Sequence, residues 1–361
     1  MKLNVKLEKV DDELMFKRTS ICLGSKSIMT PIKASYCENP ISDINEIYKK
    51  FSLEKLNNCL SDEQHERRTN SEIKREMTNG LNMCIVDYSS STIPERKHIE
   101  MLADIQYEHS DIVVTPIFSN LLRKKDLVGE SLTKTFIELT NQYIEIVETL
   151  NHKSIVGVIP SKMPRELLRP IVENYCDKNI TSFVLDFDGR SIDNTTWIRH
   201  LTRLMNDFDL TEKSFLYSVN ANEGKFMKNA VEIPAKDFIN SGFGIDILGL
   251  NHLQPRMNSE AWAKIKAKRE ENTYRIFNRG TYGYVKKTEG ELLRLFDMSD
   301  KNKLRGQRKK FNVSEQHNET ITLQTKLKEE RTIEPYIKSK SQINEDLIKK
   351  IKKLRSETFR R

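Results

Sequence analysis

The sequence predicts an α/β fold, a (β/α)8 TIM barrel followed by a basic C-terminal extension. Three observations lead there. Short apolar segments ending in Gly, Pro, Asn, Asp or Ser recur eight times between residues 20 and 285. Segments with apolar residues at i, i+3, i+4 and i+7 lie between them. No G-x-G-x-x-G follows the first apolar segment, so a doubly wound dinucleotide-binding sheet lacks its signature.

The predicted strands, in order, are SICLGSKSIM (20–29), LNMCIVDYSS (81–90), DIVVTPIFSN (111–120), SIVGVIPSK (154–162), ITSFVLDFDGR (180–190), SFLYSVNANEG (214–224), FGIDILGLNH (243–252) and TYRIFNRGTYGYV (273–285). Most are apolar on both faces, as strands of a parallel sheet covered by helices must be. The predicted helices include IPERKHIEMLADIQYE, SLTKTFIELTNQYIEIVETL, MPRELLRPIVENYCD and NTTWIRHLTRLMNDF. The long polar connection over residues 40–80 reads as an insertion over one barrel end. After residue 300 the periodicity fades. Residues 301–341 read as a linker or loosely ordered arm, and INEDLIKKIKKLRSETF as a short basic amphipathic helix that docks on the body or on a partner. The expected organisation is therefore a barrel over residues 1–300 and a partly disordered or helical extension over 301–361.

Length and composition agree with one large domain and an appendage: 361 residues, 37% apolar and 31% charged. No run of about 18 apolar residues occurs, and MKLNVKLEKVDDELMF is not a secretory signal, so a cytoplasmic location is expected. Cys22, Cys37, Cys59, Cys84 and Cys176 contain no C-x-x-C pair, which argues against a disulfide framework or a zinc knuckle. The charge is unevenly placed. Residues 301–361 carry 18 Lys+Arg against 8 Asp+Glu, leaving 42 against 44 for the rest. A near-neutral body with a basic tail points to a polyanionic partner such as nucleic acid; the plainer alternative is a solvated, charge-rich terminus.

In a barrel the chemistry sits at the carboxyl ends of the strands. Period-2 alternation in FVLDFDGR places Val184, Asp186 and Asp188 on one face and Phe183, Leu185 and Phe187 on the other. In MCIVDY, Met83, Ile85 and Asp87 share a face, with Asp87 at the strand end. These make Asp87, Asp186 and Asp188 the candidate catalytic residues. Asn220, Asn222, Asp246, Asn251, His252 and Arg190 are the candidate substrate-binding residues, with Asp246 one layer below the strand end. Such an acidic, acceptor-rich mouth suits general acid/base work, covalent catalysis by a carboxylate, recognition of a purine-like base, or a hard cation. The structural alternatives are a buried salt bridge to Arg190 or Lys33 for the Asp186–Asp188 pair, and a turn or helix cap for Asp87. The remaining histidines show no metal-ligand spacing, and H-E-x-x-H, P-loop and G-x-S-x-G motifs are missing, so no metal or other cofactor is implied.

Tyr274, Phe277, Tyr282 and Tyr284, interleaved with Arg275, Arg279, Lys286 and Lys287, form a dense aromatic and basic stretch. With Arg305, Arg308, Lys309 and Lys310 of the tail they are the candidate nucleic-acid-binding residues, since aromatic faces stack on bases and cations meet phosphates. An ordinary strand with a solvated face is the slightly favoured reading of the first group.

Several of these segments together resemble the tRNA-guanine transglycosylase superfamily, including its DNA-modifying deazapurine paralogues. They are GSKSIMTPIKASY (24–36), CIVDYSSS (84–91), SDIVVTPIFSN (110–120), VGVIPSKMPRELLRPIVENY (156–175) and GIDILGLNHLQPR (244–256). The resemblance implies base exchange in a polynucleotide on a (β/α)8 barrel, with Asp87 in the general acid/base and base-contacting role. It also marks departures. The family's covalent nucleophile falls on Gly249, its base-recognising aspartate on Ile117 or Phe118, and its glutamine-glycine pair on Ile159 and Pro160. Its C-terminal zinc site has no cysteines to build it beyond Cys176. Three functions are thus expected in competition. One is deazapurine-type base exchange on tRNA or DNA at a rebuilt site. Another is a non-catalytic nucleic-acid-binding paralogue, a homodimer or the partner of a catalytic subunit. The third is an unrelated barrel enzyme using a divalent cation.

Overall fold

The computed structural model describes residues 2–124, 129–150, 153–192, 195–225, 230–253, 260, 263 and 272–359. Three strands come first: β1 (Leu3–Val10), β2 (Lys17–Leu23) and β3 (Lys26–Met29), paired antiparallel. Gly24, at φ +61°, makes the tight turn between β2 and β3. β4 (Ile32–Lys33) and β5 (Ile44–Phe51) follow, then helices α1 (Leu53–Ser61) and α2 (Glu63–Lys74) and strand β6 (Leu81–Tyr88). Ser52 caps α1 by accepting from the Lys55 amide.

Helices and strands then alternate: α3 (Arg96–His109), β7 (Val113–Val114), α4 (Glu130–Thr149), β8 (Ile155–Pro160), α5 (Leu168–Asp177), β9 (Phe183–Asp186), α6 (Thr195–Asp207) and β10 (Leu216–Val219). α4 buries Leu132, Phe136, Leu139, Tyr143 and Ile146 along one stripe, the helical period read from the sequence. β11 (Glu232–Pro234), α7 (Lys236–Ile239), β12 (Ile247–Leu248) and the hairpin β13 (Thr273–Asn278) and β14 (Gly283–Thr288) come next. The chain closes with α8 (Glu289–Leu295), α9 (Leu304–Glu329), α10 (Glu334–Lys338) and α11 (Glu345–Thr358).

The fold is mixed α/β, which corrects the (β/α)8 barrel expected from the sequence. A parallel sheet runs β4-β12-β10-β9-β8-β7, and β5 and β6 form a separate parallel pair. Isolated parallel bridges, Ser35 with Asn45 and Asp87 with Ile117, lie beside that pair. The other strands make two antiparallel sheets, β1-β2-β3 and β11-β14-β13. Two of the eight predicted strands, 20–29 and 273–285, belong to these antiparallel hairpins. An antiparallel return needs only a short turn, whereas a parallel one needs a crossover of a dozen residues or more. Gly24 supplies one such turn; Asn278, accepting from the Gly280 amide at 2.9 Å, with Tyr282 at φ +58°, supplies the other. Conversely, the polar connection over 40–80 contains β5.

Apolar side chains pack on both faces of the parallel strands. Phe183 and Leu185 join the helix-side core with Leu168, Val172 and Leu201. Met83, Ile85, Val114, Val158, Val184 and Ile247 join a second cluster closed by Ile21 and Ile28 of the first hairpins. Residues 304–329, expected as a loose arm, form a helix of 26 residues. Val313, Leu323, Leu327, Ile333, Ile337, Ile348, Ile351 and Leu354 are buried, so the C-terminal helices are part of the body. Asp11 ties them in: its carboxylate accepts from the Ile333 amide at 2.6 Å and its carbonyl from Arg355 Nε at 2.9 Å.

Candidate functional site

The polar groups converge where ligands bind in parallel α/β sheets, beyond the carboxyl ends of the strands. Asp186 ends β9, and Asn220 follows β10 directly. Asn220 sits at φ +58°, a left-handed conformation that asparagine tolerates better than most residues. That backbone aims its amide between neighbours: Asn220 Nδ2 donates to Asp186 Oδ1 at 3.0 Å and to Tyr48 Oη at 3.3 Å. Tyr48 Oη in turn donates to Asp87 Oδ2 at 3.1 Å, and the Ser119 amide donates to Asp87 Oδ1 at 3.3 Å. Asp87 and Asp186 are thereby joined through Tyr48 and Asn220.

Both carboxylates are buried, at 1% and 3% exposure. Burial, which disfavours the charged form, pushes Asp87 above the usual carboxylate range and Asp186 up to about 7. Burial also raises the Tyr48 hydroxyl, with Asp87 and Asp186 adding to it, so the phenol stays a donor.

A second network adjoins the first. His252 stacks on Tyr48, ring centroids 4.3 Å apart and 6° from parallel, and its Nε2 shares a hydrogen bond with Glu46 Oε1. Its backbone amide donates to Asn220 Oδ1 at 3.1 Å. Glu46 also accepts from Tyr217 Oη and from the Leu250 amide, 3.1 Å from Oε1. Gly249 lies against this carboxylate. A Cβ there would stand 2.3 Å from the Ser218 carbonyl oxygen and 2.5 Å from Glu46 Oε2, so only glycine fits. Lys33 Nζ donates to the Gly249 carbonyl at 2.6 Å, and burial pulls this amine below the usual lysine range.

Of the other candidates, Asp188 adjoins that centre. It is a left-handed residue, φ +48°, its side chain 8% exposed and its amide donating to Asp186 Oδ1 at 3.2 Å. Its carboxylate meets Arg123 and, at 3.7 Å, Lys162. Arg190 donates to the Ser161 carbonyl at 3.1 Å, and Asn222 to the Gly189 carbonyl at 2.8 Å. Asn251 is exposed and accepts from the Leu253 amide at 3.0 Å; Gln254 and Arg256 of the same motif lie outside the described residues.

Asp246 sits at the amino end of β12, away from the cluster. It is fully buried and takes Lys17 Nζ at 2.8 Å, the Leu216 amide at 2.8 Å, Thr19 Oγ1 at 2.9 Å and Thr30 Oγ1 at 3.1 Å. A carboxylate so saturated fastens the first hairpins to the parallel sheet.

The aromatic and basic stretch folds inward. Phe277, Tyr282 and Tyr284 are core residues, with Tyr282 donating to Glu319 at 2.7 Å and Tyr284 to Asp237 at 2.8 Å. Arg275, Arg279 and Lys287 pair with Glu223, Glu315 and Glu291. Lys309 lies 3.9 Å from the centre of the Tyr36 ring, and Arg308 and Lys310 are half-buried, while Lys286 and Arg305 are exposed.

Sequence reasoning missed Glu46 and Tyr48. Their signal is legible in INEIYKKF, where Ile44, Glu46 and Tyr48 alternate onto one face, but the polar residues around it hid the strand. Among the described residues no group of three or more His, Cys, Asp and Glu side chains could hold a metal ion, which leaves the divalent-cation reading without a ligand set there. No helix among them is long and apolar enough to cross a membrane. Compared with known proteins, the chain matches no family model and no curated protein.

Proposed function

We propose that the chain exchanges a purine-like base in a nucleic acid, tRNA or DNA, at the strand-end cluster. The single observation that supports this reading is the chain Asp87–Tyr48–Asn220–Asp186, a pair of buried carboxyls joined by neutral hydrogen-bonding groups. Glycosidic exchange needs a group that gives a proton to the departing base and recovers it from the incoming one, and a negative charge facing C1′. Asp186, titrating at about 7, fits the first role at neutral pH. Asp188, ion-paired to Arg123 and Lys162, fits the second. As the C1′–N bond breaks, its electron pair leaves with the base, which takes the proton from Asp186 while the Asp188 carboxylate adds to C1′. The incoming base returns a proton to Asp186 and displaces the carboxylate. Asp87, held by Tyr48 and the Ser119 amide, orients the pair.

Incorporation of labelled guanine into tRNA and into DNA tests this. Asp87→Asn and Asp186→Asn each lower exchange by about a hundredfold or more. Exchange at the wild-type rate in either variant overturns the assignment. Gly249 favours a second reading, a nucleic-acid-binding paralogue without chemistry, because no side chain fits where the resembled family carries its nucleophile. Salt-dependent binding with no exchange on either substrate selects that reading.

A further inference from the structure

Beside Asp188 a cleft of about 450 Å³ opens between the end of β8 and the start of α6. Lys162, Arg165 and Arg190 line it against one carboxylate, Glu166, which is 2.7 Å from Arg165. Partial burial, and after it the like charges of Arg123 and Arg190, pull the Lys162 amine below the usual lysine range, opposed by Asp188 at 3.7 Å. Arg190 is exposed and makes no ion pair among the described residues. Met163, Pro164, Phe187 and Trp197 form the apolar part of the cleft, with the hydroxyl residues Ser161, Ser191 and Thr196 on the same lining. Trp197 is fixed there by its Nε1, which donates to the Met163 carbonyl at 3.0 Å. Clustered cations beside an anchored indole match a ligand that has both a phosphate and a flat ring.

We propose that this cleft binds a nucleoside phosphate unit, its phosphate between Lys162 and Arg190 and its base against Trp197. The proposal deepens the base-exchange reading by naming the flanking nucleotide next to the reacting one, and it rests on that reading for its place beside Asp188.

Calorimetric titration of the full chain with guanosine monophosphate, guanosine, inorganic phosphate and a short single-stranded RNA or DNA tests it. Guanosine monophosphate binds at least tenfold tighter than guanosine or phosphate, and Arg190→Gln and Lys162→Met each weaken it at least fivefold. Quenching of tryptophan fluorescence by the nucleotide is lost in Trp197→Phe. An oligonucleotide that binds tighter than the mononucleotide marks the occupant as part of a strand, and equal affinity marks it as free nucleotide; either supports the site. Binding no tighter than phosphate, or unchanged in the exposed Arg190→Gln, overturns it. The two readings separate cleanly. Nucleotide binding lost in Arg190→Gln without any exchange activity sinks the chemistry and keeps the cleft, whereas exchange with nucleotide affinity indifferent to Arg190 and Lys162 does the reverse.

Discussion

Replacing Asp246 by asparagine separates a structural carboxylate from a catalytic one. The wild-type side chain takes Lys17 and the Leu216 amide on Oδ2 and the Thr19 and Thr30 hydroxyls on Oδ1. Asparagine keeps the acceptor for the two hydroxyls. Its amide then faces two donors, and the Lys17 ammonium, whose side chain is 4% exposed, is left buried without a counter-charge. Removing one partner of a buried ion pair costs about 3–5 kcal/mol. With an unfolding entropy of about 2.1 cal/mol/K per residue, a chain of 361 residues loses about 4–7 °C in Tm. Urea unfolding followed by circular dichroism measures the loss directly. The Lys17→Met variant and the double variant complete a cycle in which the two sites couple by about 2 kcal/mol or more. A loss below about 1 kcal/mol in Asp246→Asn, or additive single effects, would refute the structural assignment.

Two further outcomes follow from the strand-end cluster. The Asp186 carboxyl titrates near about 3.9 in an unfolded chain and at about 7 in the folded one. The folded state therefore holds a proton that the unfolded state has lost, and this contribution to stability, full below about pH 4, is lost as pH rises to about 7. Asp186→Asn flattens that stretch of the curve of unfolding free energy against pH; parallel curves for variant and wild type count against a raised carboxyl. Gly249→Ala drives a methyl group into the Ser218 carbonyl and the Glu46 carboxylate, an overpacking that costs about 1–3 kcal/mol. An unshifted thermal unfolding curve for that variant would show that the close approach is not there.

Much of the local architecture was legible in the sequence. Period-2 alternation put Asp186 on the face of Val184, and Val184 packs in the inner cluster while Phe183 and Leu185 pack under helices. LNMCIVDY is a strand ending near Asp87, and the amphipathic periods of residues 130–149 and 168–177 are helices. Strand β5 escapes that pattern. Its apolar positions are few because Glu46 and Tyr48 spend their burial on hydrogen bonds, so hydrophobic patterning passes over a strand that supplies part of the site. The C-terminal helix α9 was missed for a related reason: Asn312, Gln316, Glu319 and Thr320 are buried polar residues, and its apolar stripe is correspondingly thin.

The sequence by itself determined which segments are strands and helices wherever one face is apolar, because that pattern depends on neighbours two to four residues away. Only the tertiary structure decided how the strands pair, and therefore that hairpins and a separate pair stand beside the parallel sheet where a closed barrel was expected. It alone decided what each aspartate does. Asp87, Asp186 and Asp246 look alike within their own segments, yet their partners are Tyr48, Asn220 and Lys17, each brought in from a distant strand or loop. The charge on a carboxyl is set by desolvation and by such partners within a few ångströms. Those are properties of the folded packing, and no local pattern encodes them.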